Sequence, residues 1–164
     1  MTERDGNTMD ATNDTIQWQC LNFEQLTTNQ LYDILRLRVD VFIVEQNCPY
    51  HELDNKDRLN GVKHLLATRS GELIAYCRLL APGVSFTSPS IGRVITLESA
   101  RGNGLGHQLL EQAIAFANEL WPKQPIEIEA QAHLQGYYER HGFVKASEPF
   151  LLDNIPHIEM IRAA

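Results

Sequence analysis

Ile91-Gly92-Arg93-Val94-Ile95-Thr96-Leu97, followed by Arg101-Gly102-Asn103-Gly104-Leu105-Gly106-His107, is the stretch on which the fold turns. The first run is rich in β-branched residues and predicts a strand over Ile91–Leu97. Beyond the glycines, Leu105, Leu109, Leu110, Ala113, Ile114, Ala117 and Leu120 recur at helical spacing, and Pro122 follows the end. A glycine turn between a strand and a helix start offers unpaired N–H groups and the positive end of a helix dipole. Glycines let that backbone approach phosphate oxygens, and Arg101 adds a cation. The turn is therefore a candidate cradle for a pyrophosphate. Two familiar phosphate loops do not fit. G-x-G-x-x-G fails where His107 stands in place of the third glycine, and no G-x-x-x-x-G-K-[ST] run occurs. A turn that only tightens the start of the helix is the plain alternative.

Working outward, Ser70-Gly71 predicts a hairpin joining strands at Val62–Thr68 and Leu73–Leu80. Upstream, Ile16–Leu21 reads as a first strand, and Thr28 as the cap of a helix running to Arg38. Val41–Val44 is an apolar patch that predicts a short second helix. Residues 46–61 read as a long loop, a length that often covers a site. Downstream come a strand at Ile126–Ala130, a short helix at Leu134–His141 ended by Gly142, and strands at Phe143–Ala146 and Ile158–Arg162. This order predicts an α+β domain in three layers over residues 16–164, with residues 1–15 as a flexible acidic tail.

The composition narrows the function. The chain has 164 residues, 43% of them hydrophobic, which suits one domain with a real core. Its longest apolar runs, Leu73–Cys77 and Ala113–Ala117, fall far short of the ~20 residues of a membrane helix. Fourteen Lys and Arg stand against 21 Asp and Glu, and no basic run suggests a nucleic-acid groove. Cys20, Cys48 and Cys77 form no C-x-x-C pair, which disfavours a disulfide framework or a zinc site. A cytoplasmic protein without metal, membrane or nucleic-acid partner is expected. His51, Glu52, Asp54 and Asp57 lack calcium-loop spacing, so a solvated acidic loop is the expectation there.

Arg101, Gly104 and Gly106 meet the spacing [QR]-x-x-G-x-[GA], and here the chain resembles the GNAT superfamily of N-acetyltransferases. Gly92–Thr96 resembles that superfamily's fourth strand, and Tyr138-Glu139-Arg140-His141-Gly142-Phe143 its Y-E-[KR]-x-G-F ending. The segments Val41–Tyr50, Gln131–Gln135 and Ile155–Ile158 are similar to ElaA-like acetyltransferases. The resemblance implies a mixed, mostly antiparallel sheet with helices on both faces. It implies acetyl-CoA as cosubstrate, an amine as acceptor, direct attack in a ternary complex, and a possible homodimer. Carried residue by residue, it places the cosubstrate on Val94, Ile95, Thr96, Arg101, Gly102, Asn103, Gly104, Leu105, Gly106, His107 and Gln131. Gln131 stands where the family usually has Asn.

Three jobs then need residues. Tyr138 matches the family tyrosine that faces the CoA sulfur, and a phenol can donate a proton to a nascent thiolate. A backbone N–H near Ile95 would bind the oxyanion. For the base, Glu45 is one candidate, since burial beside Val41–Val44 would raise a carboxyl pKa; His133 and Glu129 are others, and water is a fourth. Arg93, Asp54 and His157 are substrate-side candidates, and Arg78 and Arg93 are expected to pair with Asp54 or Asp57. His64 is expected in the core or at its rim. Two alternatives stay open. Leu37–Phe42 with acids at Glu45, Asp54 and Asp57 also resembles acyl-homoserine-lactone synthases. A non-catalytic acyl-CoA sensor is the other.

Overall fold

The computed structural model describes residues 15–164; the acidic tail expected before them lies outside the described residues, Thr15 excepted. Strand β1 (Gln17–Leu21) leads through helix α1 (Thr28–Arg38) and the long loop into β2 (Val62–Arg69), β3 (Glu72–Leu80) and β4 (Ser90–Thr96). Helix α2 (Leu105–Leu120), β5 (Ile126–Gln131), α3 (Gln135–Glu139), β6 (Phe143–Lys145), β7 (Phe150–Leu152) and β8 (Ile155–Arg162) follow. One eight-stranded sheet runs β1-β2-β3-β4-β5-β8-β6, and β7 shares with β6 the far edge of β8. Every pairing is antiparallel except β4 with β5.

Helices cover both faces because the strands alternate. Leu65 and Ala67 of β2 join the α2 core with Leu109, Leu110 and Ala113, whereas Leu66 packs with Ile34 and Leu37 of α1 on the other side. Leu120, expected on the apolar face of α2, is 38% exposed, because the helix ends there and its last turn overhangs the core.

The structure moves some boundaries. The cap of α1 is Thr27, whose hydroxyl accepts from the Gln30 N–H while the Gln30 side chain accepts from the Thr27 N–H. Thr28 has no Gln or Glu three residues on, so only Thr27 can close this reciprocal pair. Val41–Val44 is not a separate helix: α1 runs on into a π-helical segment, Val39–Glu45. Such segments are rare overall and frequent at functional sites. Strand β7 was not anticipated. It is joined to β8 by Asp153-Asn154, both with positive φ, which is the geometry of a two-residue hairpin turn.

Candidate active site

The parallel pair β4 and β5 meets only once, at Ser90 and Glu127. Beyond that bridge the strands part. Strand β4 is also bulged: Tyr76 opposes Ile95 and Arg78 opposes Gly92, so Arg93 and Val94 share the single partner Cys77. Arg93 takes φ +52°, an uncommon conformation for a residue with a Cβ. The parted strands open a cleft of about 340 Å³, with Val94 on one wall, Glu129, Gln131 and His157 on the other, and Tyr138 lining it from α3.

The glycine turn stands where β4 gives way to α2. Gly104 caps α2 at φ +73° with no side-chain cap, and Gly102 has φ +104°. The first N–H groups of a 16-residue helix are thus left without a side-chain acceptor. Leu105 is buried and anchors the turn to the core, while Asn103 is exposed. Tyr137 donates to the Gly106 carbonyl, which fixes the first turn against α3. His107 lies 2.8 Å, nitrogen to nitrogen, from His141, and Arg140 reaches its other nitrogen. Ile95 is buried against α1, and the Thr96 carbonyl accepts from Arg101 at 3.0 Å.

Arg101 is not a free cation. Its guanidinium is bidentate on Glu45 at 2.6 and 3.0 Å. This corrects the expectation for Glu45. Its side chain is 40% exposed, and the Arg101 hydrogen bonds hold its carboxyl below the ordinary range rather than above it. His133 is exposed on the turn after β5, outside the cleft. Glu129 lines the cleft.

Tyr138 is nearly buried, with its ring edge-on to Tyr137 and to Phe143. Its hydroxyl has no hydrogen-bond partner among the described residues. Burial pushes its pKa above that of an ordinary phenol, with the nearby Cys77 adding to the rise, so it holds its proton at neutral pH.

Asp54 and Arg93, expected on the substrate side, belong to an ion network beneath the long loop. Arg38 is fully buried; it donates to Glu52 at 2.8 Å and to Asp57 at 2.7 Å. Arg78 is bidentate on Asp54 and also reaches Asp57, so Asp54 is occupied away from the cleft. Arg93 lines the cleft, but its Nε donates to Glu52 at 2.7 Å. Three arginines meet three carboxylates, and the charges balance. Burial would raise Asp54, but hydrogen bonds and charge from Arg78 prevail and bring it to about 2. His64 is buried as expected. Its Nε2 donates to the Asp57 carbonyl and its Nδ1 accepts from Tyr76. Arg38 and Glu52 are the members the sequence did not reveal as partners. They lie 14 residues apart, and no periodicity joins them.

The comparisons with known proteins agree with this architecture. The sequence model of the acetyltransferase (GNAT) domain family matches residues 30–163. Protein ElaA of Escherichia coli is 42% identical over 147 residues, covering 90% of this chain and 96% of that one. A crystal structure of an acyl-CoA N-acyltransferase from Pseudomonas aeruginosa superposes with a TM-score of 0.87 at 49% identity, over 91% of this chain and 100% of that one. Escherichia coli ElaA itself superposes at 0.85 with 40% identity, over 90% and 99%. An acyl-homoserine-lactone synthase shares the fold at 17% identity. Among the described residues no helix is long and apolar enough to cross a membrane.

Proposed function

The chain belongs to the GNAT acetyltransferase family, and on that premise we propose that it moves an acetyl group from acetyl-CoA to a primary amine by direct attack. The observation that carries this reading is the parted pair β4 and β5. It leaves an open slot that has an uncapped helix start beside one strand and a buried, unpartnered phenol within.

In this reading the pyrophosphate lies against the α2 start, on the Gly102–Gly106 backbone, with Arg101 swung from Glu45 to meet it. The pantetheine arm runs along Val94–Thr96 toward Gln131. The amine attacks the thioester carbonyl from the Glu129 and His157 wall. The bulge at Arg93 turns peptide groups out of the ladder, where a backbone N–H can meet the oxyanion. Tyr138 gives its proton to the leaving sulfur. The three described cysteines are unbridged, as suits a reducing compartment such as the cytoplasm.

Thermal denaturation with acetyl-CoA, NAD and ATP tests the cosubstrate. At 100 times Kd a ligand adds ~2.7 kcal/mol, a rise of roughly 5–10 °C for a chain of this size. The expected rise is with acetyl-CoA alone. Thiol release with an amine panel then separates transfer from binding. A rise without turnover identifies an acyl-CoA sensor, and a rise with NAD or ATP instead overturns the assignment.

A further inference from the structure

His157 lies on β8 with Gln131 directly opposite on β5 and Phe150 directly opposite on β7. Directly opposed residues share a face, so all three side chains stand on one side of the sheet, and His157 and Gln131 both line the cleft. The imidazole stacks on Phe150 with centroids 6.2 Å apart and planes at 27°. Its Nδ1 lies 2.7 Å from the Ile155 carbonyl oxygen. A carbonyl only accepts, so Nδ1 carries the proton and Nε2 keeps its lone pair. Nothing among the described residues takes that lone pair. The ring is thus oriented by a neighbour, held in one tautomer, and left with an acceptor atom free in the cleft that Tyr138 also lines.

The other bases lack some part of this. Glu45 and His133 both lie outside the cleft that Tyr138 lines. His51 lines the cleft but is exposed and makes no orienting hydrogen bond among the described residues. Glu129 stands diagonal to His157 on the same face, across the β5–β8 pair. An anion at that place draws an ammonium to the imidazole.

We propose that His157 is the base that deprotonates the incoming amine and that Glu129 recruits the amine as a cation. This deepens the acetyltransferase reading and rests on it. The ammonium gives one proton to His157 Nε2. The freed lone pair forms the C–N bond at the acetyl carbonyl carbon, and the C–S bond breaks. Tyr138 gives its proton to the sulfur, and the second proton of the nitrogen restores the phenol. His157 sheds the first proton to water, so CoA leaves as the thiol and one proton is released.

The test compares wild type, His157→Ala, His157→Gln and the control His133→Ala by thiol release, using whichever panel amine the wild type acetylates fastest. Acetyl-CoA affinity is followed in parallel by thermal shift. For both His157 variants, kcat/KM should fall about 100-fold or more. Their acetyl-CoA shifts should stay intact, which also shows that they fold. Added imidazole should restore part of the His157→Ala rate, and His133→Ala should match wild type. Glu129→Gln should raise KM for a cationic amine several-fold and leave kcat within about twofold. A His157→Ala rate within threefold of wild type overturns the base role alone, as does a large loss that imidazole does not relieve. A wild type that binds acetyl-CoA and releases no thiol with any amine overturns the transferase reading and this role with it.

Discussion

Two arginine–carboxylate contacts in this molecule have the same chemistry and opposite settings. Arg38 is sealed between Glu52 and Asp57 with no exposed surface. Arg101 holds Glu45 with comparable geometry, but both side chains are more than a third exposed. Water and salt screen the second pair, which leaves it worth about 1 kcal/mol at most. Losing one partner of the first strands a buried charge and costs about 3–5 kcal/mol. The buried network therefore acts as a rivet, fastening Glu52, Asp54 and Asp57 of the long loop to α1, β3 and β4. The exposed pair is exchangeable, and in the proposed reading a pyrophosphate displaces Glu45 at little cost. Burial, more than bond length, separates the part that holds the site from the part that operates it.

The strongest way to break this contrast is Arg38→Met. It should destabilise the protein by about 3–5 kcal/mol, lowering Tm by roughly 10 °C, as scanning calorimetry would register. A loss under 1 kcal/mol would put the network on a par with the surface pair. Next in size is Tyr138→Phe. Stopped assays should show kcat down about 10–100-fold with acetyl-CoA affinity unchanged, and equal turnover would remove the phenol from the chemistry.

Acid offers a gentler probe. Asp54 is held at about 2 in the fold against an ordinary 3.8. A depressed carboxylate stabilises the fold above its unfolded pKa, and that stabilisation is lost as pH falls through the folded one. Tm should therefore hold from pH 7 to about 5 and drop most steeply between pH 4 and 2. Asp54→Asn should flatten that drop. Since 24% of the Asp54 side chain meets water, the loss from this one group should stay near 1–2 kcal/mol. Smallest is Glu45→Gln. It frees Arg101, so calorimetric titration should find acetyl-CoA binding about 2–5-fold tighter. Weaker binding would show that Arg101 needs Glu45 even with ligand present.

Local patterns were legible in the sequence and distant pairings mostly were not. The Ser70-Gly71 hairpin and the α2 stripe lie within single windows, so alternation and helical period suffice to place them. The proper cap of α1 was also readable, since Thr27-x-x-Gln30 completes a capping box and Thr28 does not. Strand β7 is not legible although Asp153-Asn154 is a two-residue turn signal, because three residues are too few to show alternation. At the site, Arg78 and Arg93 as partners of acidic loop residues were anticipated from strand arginines among apolar neighbours. Arg38 was not, since an arginine at a helix end usually faces water. The contrast at Glu45 was illegible for the same reason. Its partner is 56 residues away, and nothing local to Glu45 announces it.

A sheet parted in its middle has two extra edges, and an open edge ordinarily invites a foreign strand to add to it. Strands β4 and β5 escape this because their unpaired edges face each other across a slot. Cys48 Sγ reaches the Asp153 carbonyl at 3.3 Å, tying the long loop to the β7–β8 hairpin beside that slot. The facing edges of β4 and β5 leave backbone N–H and C=O groups without a strand partner. In the proposed reading a thin guest that carries its own amides takes the place of the missing strand there, so the ligand completes the sheet.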